Sequence, residues 1–294
     1  MRAVSAHLVA ALYALAVTFL WSTSFLLVKI SLPLVPPITL AAVRYLLAFG
    51  VLAVYALVLD RRRPAGIAWA TIAIIGILQY GVGQALQYTA MQVVPVAMIA
   101  LLYALLPALQ AIADTVWLRE PPMLVQLLGG GVTIGGIALY LPWGRAVPWG
   151  GLLLVGGTLV ASTIATTLTR YIARAGSTPT LHLTLVSVGA GGLSMLPLGL
   201  AVESGPRFPP LVVVALIWLA VANTALAFSL WNHALRTLTA FEANVIGNTT
   251  LFQVGILGWI FLGEGLTARQ MAAMVIAFGG VLLAQVPAVR AMRR

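Results

Sequence analysis

None of the 294 residues is cysteine, so the chain has no disulfide, no thiol nucleophile and no thiolate metal site. Charge is nearly as scarce. Asp, Glu, Lys and Arg make up 7% of the chain, and only 6 residues are acidic. Soluble domains carry roughly a quarter charged residues, which excludes a water-soluble globule. The 3 histidines, His7, His182 and His233, lie far apart with no carboxylate cluster beside them, so neither a metal site nor a cofactor is expected. What the chain has in excess is apolar: 62% hydrophobic residues and a mean hydropathy of +1.06. Ten membrane helices of ~20 residues would consume ~200 residues. That leaves short loops and no room for a catalytic domain outside the bilayer.

Proline, glycine and charge clusters divide the apolar sequence into ten spans, near 8–30, 36–59, 67–91, 94–118, 122–141, 148–173, 179–200, 211–235, 240–262 and 267–286. Pro33, Pro36 and Pro37 interrupt helical hydrogen bonding, and the run Arg61-Arg62-Arg63-Pro64 cannot lie in hydrocarbon. The first run, Leu8 to Ile30, is too long for a signal-peptide core and reads as a retained first helix. The formal net charge of +10 would suggest nucleic acid in a soluble protein. Here the basic residues are scattered at helix ends, with no basic, aromatic-interleaved surface to follow a phosphate backbone, so no nucleic-acid partner is expected. They orient the chain instead. With the N-terminus in the cytoplasm, Arg2, Arg61, Arg62, Arg63, Arg119, Arg170, Arg174, Arg236, Arg290, Arg293 and Arg294 fall inside. Only Lys29, Arg145, Arg207 and Arg269 fall outside, which favours two cytoplasmic termini.

The two halves resemble each other. Shifted by 144 positions, residues 84–140 lie over 228–284 without a gap: Leu86 on Leu230, Ala90 on Ala234, Glu120 on Glu264, Gln126 on Gln270, and Gly135-Gly136 on Gly279-Gly280. Trp21 to Lys29 aligns more loosely with Ser162 to Arg170, at an offset of 141. Five spans per half is an odd number, so the second copy enters from the opposite side. The expectation is an all-α polytopic membrane protein, with residues 1–146 and 147–294 forming a 5+5 inverted-topology repeat. That is the symmetry of alternating-access carriers, which hold substrate near the midplane.

Several short stretches carry a family resemblance: Phe19-Leu20-Trp21-Ser22-Thr23-Ser24-Phe25, Arg44-Tyr45, Ala85-Leu86-Gln87-Tyr88-Thr89-Ala90 and Leu118-Arg119-Glu120. The second copy adds Trp231-Asn232-His233-Ala234-Leu235 and Phe261-Leu262-Gly263-Glu264. In their order and duplication the chain resembles the EamA family of the drug/metabolite transporter superfamily, over essentially its whole length. The resemblance implies ten helices, a bacterial inner-membrane location and export of metabolites, commonly amino acids and, in some members, aromatic ones. The family often has a proline in the middle of both span four and span nine. This chain has Pro107 but Leu251 at the matching position, so its ninth helix is expected to bend less.

Polar side chains in lipid are costly and usually face a bundle interior or a watered cavity. In span four Tyr103, Gln110 and Asp114 share a helical face, beside Pro107 as a candidate hinge. Span three places Tyr80, Gln84 and Gln87 on one face. Span six carries Ser162, Thr163, Thr166, Thr167 and Thr169, whose hydroxyls can bond back to their own helix. Span eight contributes Asn223, Trp231 and Asn232, and span nine has one stripe of Asn244 and Asn248 and another of Glu242, Thr249 and Gln253. Trp21, Tyr80, Tyr88, Tyr103 and Trp231 would suit a planar or cationic substrate. The candidate substrate-binding set is therefore Trp21, Ser22, Tyr80, Gln84, Tyr88, Tyr103, Thr163, Thr166, Trp231, Asn244 and Asn248. Asp114 and Glu242 are candidate proton carriers; the plainer reading pairs them with Arg119 or Arg236. Glu120 and Glu264 read as loop-structuring residues, and Arg44, inside span two, as a structural clamp.

The function these readings favour is export of a small-molecule substrate by alternating access through a central cavity. Without a well-placed midplane carboxylate, uncoupled transport is the simpler expectation, and two halves in one chain allow a functional monomer. An intramembrane enzyme is the alternative from another class, but Ser22 and Ser162 have no His or Lys partner at matching depth. A non-transporting scaffold is the third; it should tolerate leucine at Gln84, Tyr103 and Asn244, where a carrier should lose flux.

Overall fold

The computed structural model describes residues 2–59, 69–117, 119, 122–141, 148–175, 179–238 and 240–292, and all regular structure among them is helical. Span one is Arg2–Ser31 and span two Pro37–Leu59. Span three runs through Trp69–Gly76, a π turn Ile77–Val82 and Gly83–Met91. Span four is Val96–Tyr103 and Leu106–Trp117, span five Leu124–Tyr140, span six Trp149–Ala175 and span seven Thr180–Val202. Span eight repeats the three-part plan as Pro210–Ala220, a π turn Val221–Leu226 and Ala227–Ala234. Span nine is Ala240–Asn248 and Thr250–Leu262, and span ten Ala268–Met292. Eight of the helices are long and apolar enough to cross a membrane, and Leu124–Tyr140 and Pro210–Leu226 are shorter apolar helices. The chain is an all-α polytopic membrane protein.

The offset of 144 read from the sequence recurs in the structure. The π turns at Ile77 and Val221, and the segments beginning at Gly83 and Ala227, Val96 and Ala240, Leu106 and Thr250, and Leu124 and Ala268, are all separated by it. Periodicity does not anticipate the π turns. Each leaves i→i−5 contacts: the Gly83 N–H donates to the Leu78 carbonyl, and the Thr224 hydroxyl to the Leu219 carbonyl at 2.9 Å.

Helix starts are capped by carboxylates distant in sequence or by a glutamine of the helix's own first turn. After Pro95, the Val96 and Ala97 N–H groups donate to the Glu264 carboxylate at 3.0 and 3.4 Å, the loop role expected of Glu264. Glu120, its repeat partner, lies outside the described residues. Ile38 and Thr39 N–H groups donate to Glu203 at 2.9 and 2.7 Å. The matched glutamines do one job in both repeats: Met123 N–H donates to Gln126 Oε1 at 2.8 Å and Thr267 N–H to Gln270 Oε1 at 3.0 Å. Span nine ends at Gly263 in the left-handed conformation (φ 67°), and Arg119, 144 positions earlier, adopts φ 58° at the same place without a glycine.

Two compact units emerge, each drawing spans from both repeats. One comprises Met1–Leu26, Val94–Trp149 and Leu226–Arg294; the other comprises Leu27–Val93 and Gly150–Ala225. In the first unit, spans five and ten cross at backbone distance. A Cβ on Gly136 would lie 2.7 Å from the Ala277 nitrogen, and one on Gly280 2.5 Å from the Thr133 nitrogen. Small residues let helices meet this closely where lipid supplies no hydrophobic driving force between them. In the second unit, span seven does the same against spans two and three, with Gly189 under the Phe49 ring and Gly191 against Tyr80.

Candidate functional site

In the first unit two of the aromatic candidates, Trp21 and Trp231, meet. The Trp21 ring lies 5.1 Å from that of Trp231, tilted by 49°, and 6.3 Å edge-on from Phe228. One turn along span one, Phe25 meets Tyr103 of span four edge-on at 6.4 Å. Trp231 also packs on the core formed by Ala10, Ala14, Ala234 and Leu238.

Ser22, next to Trp21, is fully buried. Its hydroxyl donates to Gln253 Oε1 at 2.9 Å or back to the Thr18 carbonyl at 2.8 Å. The Gln253 amide nitrogen donates to Thr18 Oγ1 at 3.1 Å and to Thr249 Oγ1 at 3.2 Å. This junction of spans one and nine was only half visible in the sequence, as the Thr249–Gln253 stripe. Asn248 is half-buried on the same span, and the Asn244 side chain lies outside the described residues, as does that of Asn232.

Span four breaks at Ala104–Leu105, just before Pro107, which has no N–H to return to the Tyr103 carbonyl. Span nine breaks too, at Thr249 alone, so the loss of proline shortens the interruption without abolishing it. Asp114 is buried and accepts from Gln110 Nε2 at 2.8 Å, one turn back on the face they share. Glu242 pairs with His7 Nε2 of span one at 3.1 Å, in a half-exposed position, a partner the sequence reading did not anticipate.

The second unit holds the other candidates. Arg44, buried, donates to the Tyr88 hydroxyl at 2.6 Å and lies 5.2 Å from the centre of the Tyr45 ring. Tyr45 in turn lies 5.2 Å from Tyr80. The clamp expected at Arg44 is thus built from phenols. Tyr88, 1% exposed, is part of it. Tyr80 sits within the π turn and packs against span seven. Gln84 is half-buried and forms no side-chain hydrogen bond to any described residue. In span six the hydroxyls of Thr163, Thr167 and Thr169 bond back to Leu159, Thr163 and Ala165 at 2.8, 3.0 and 2.8 Å, while Thr166 is exposed.

Apolar helices repeated at an offset of 144, with π turns and helix breaks at matching sequence positions of the two copies, mark a polytopic membrane protein built from two repeats. The chain belongs to the EamA-like transporter family, whose model matches residues 8–141 and again 148–285. It is 26% identical over 272 residues to protein PecM of Dickeya dadantii (strain 3937), covering 90% of this chain and 88% of the relative. It is 34% identical over 67 residues to the permease-like protein YdzE of Bacillus subtilis (strain 168), covering 23% of this chain and 86% of YdzE. One protein crystal structure aligns at a TM-score of 0.69 with 18% identity, over 96% of this chain and 98% of the other, a likeness of fold.

Proposed function

We propose that the chain is an inner-membrane secondary transporter that exports amino acids, aromatic ones among them, or similar small amphipathic metabolites. It is not an enzyme, works as a monomer with both termini in the cytoplasm, and uses residues 1–146 and 147–294 as its two repeats. The observation that carries this reading is the Trp21–Trp231–Phe228 cluster, joined along span one by Phe25 and Tyr103. Such a surface accepts planar side chains by stacking. On this reading transport is uncoupled, with Asp114 bonded to Gln110 and Glu242 to His7 as structural carboxylates.

The test is uptake of radiolabelled amino acids, phenylalanine and tryptophan included, into proteoliposomes with and without a pH gradient. Flux without the gradient, competed by several amino acids, is the expected result. Flux only with the gradient would overturn the uncoupled mechanism. No flux of any amino acid would overturn the substrate.

A further inference from the structure

Spans four and nine break at the same place in the repeat by different chemistry. In span four the break is covalent in origin: Pro107 lacks the N–H that a continuous helix needs, whatever its neighbours do. In span nine Leu251 stands at the proline's position and Thr249 at that of Leu105. There the break coincides with a knot of hydrogen bonds on Thr249. The Thr249 N–H and hydroxyl both donate to the Ile246 carbonyl, at 3.0 and 2.6 Å. The Thr249 hydroxyl accepts in turn from Gln253 Nε2 at 3.2 Å. Hydroxyls that take a nearby carbonyl in this way compete with the helix.

Gln253 ties that competition to span one. One amide hydrogen goes to Thr249 and the other to Thr18 Oγ1, and Oε1 accepts from Ser22. Thr18 passes its own hydrogen to the Leu15 carbonyl at 2.8 Å, so both threonine hydroxyls donate as well as accept. Interhelical hydrogen bonds in a bilayer are individually weak and exchangeable. A proline's missing donor is not.

We propose that Gln253 is a positioning residue that sets a reversible break in span nine. This break closes into continuous helix and reopens during the transport cycle, while the Pro107 break stays fixed. The proposal rests on the transporter reading above. Because Ser22 adjoins Trp21, release of the tie also frees the segment of span one that presents Trp21 to Trp231.

Full-length wild type, Gln253→Leu, Thr249→Val and Leu251→Pro would be reconstituted and compared by amide hydrogen exchange over Ile246–Gln253 and by uptake kinetics. Both Gln253→Leu and Thr249→Val remove the hold on the break, so protection at Thr250–Phe252 should rise about tenfold. Proline is admissible at 251, the second residue of Thr250–Leu262, as Pro107 is in Leu106–Trp117. Making the break permanent should lower kcat about fivefold or more with KM within about twofold. Unchanged protection in Gln253→Leu would overturn the role of Gln253. Unchanged kcat in Leu251→Pro would overturn the reversible break. If Leu251→Pro does not fold, the Thr249→Val exchange result decides between a hydrogen-bonded break and a fixed one. Absence of flux in wild type, with the protection change intact, would overturn the transport reading and leave the Gln253-held break standing.

Discussion

Thr133 and Ala277 stand 144 residues apart, at the same place in the two repeats, and they touch. The Thr133 hydroxyl, which donates to the Gly129 carbonyl at 2.9 Å, also lies 3.3 Å from the Ala277 carbonyl. Around this contact Gly129, Gly136 and Gly280 leave no room for side chains, so two spans cross backbone to backbone.

That crossing makes a sharp comparison possible between adjacent glycines. Gly136→Ala would force a Cβ to 2.7 Å from the Ala277 nitrogen, whereas a Cβ on Gly135 meets nothing within 4 Å. Gly136→Ala should cost ~1–3 kcal/mol by overpacking, and Gly135→Ala should stay within about 0.5 kcal/mol of wild type. Thermal unfolding in detergent reads both. Equal midpoints for the two variants would refute the close crossing.

Glu264 holds two N–H groups at the start of span four. Glu264→Ala should therefore lower stability by about 1–2 kcal/mol, as loss of a helix cap does, while Glu264→Gln, which keeps one carbonyl acceptor, should recover part of it. Thermal midpoints ordered wild type, Gln, Ala are expected; an Ala variant as stable as wild type would show that the cap contributes nothing.

Tyr88 separates a structural role from a substrate role. Its hydroxyl accepts from the buried Arg44 guanidinium. Tyr88→Phe removes one acceptor from that charge and should destabilise the protein by roughly 1.5–3 kcal/mol without shifting KM. A raised KM at unchanged stability would return Tyr88 to the substrate site.

The indoles are expected to behave oppositely. Trp21→Ala and Trp231→Ala should each raise KM for an aromatic amino acid about threefold to tenfold, the worth of one aromatic contact. Because the rings touch, the double variant should cost less than the product of the two. Uptake kinetics with phenylalanine and alanine as a pair would decide it: an equal loss for both substrates would argue against stacking.

Uncoupled transport predicts indifference at the two carboxylates. Asp114→Asn and Glu242→Gln should keep flux within about twofold of wild type with or without a pH gradient, since neither proton release nor capture is then required. Loss of gradient-driven flux in either variant would make that carboxylate a coupling group.

Ten spans, their near boundaries, the duplication and the offset of 144 were legible in the sequence. Hydrocarbon thickness fixes helix length, prolines and charges cannot continue a span, and a duplicated chain keeps its register. The clamp role of Arg44 and the loop role of Glu264 were legible too, because an isolated charge inside or beside a span has few tolerable uses. The partners were not. That Arg44 meets Tyr88 and Tyr45, that Glu242 meets His7, and that Ser22 and Thr18 share one Gln253 amide depend on helices distant in sequence. The π turns were equally hidden, for one extra residue per turn leaves composition unchanged. Sequence alone determined how many times the chain crosses and how its halves repeat, since those follow from hydropathy along the chain. Only the tertiary structure decided which polar faces are spent on holding helices together, because a hydrogen bond across spans is set by which backbones approach and not by spacing within either one.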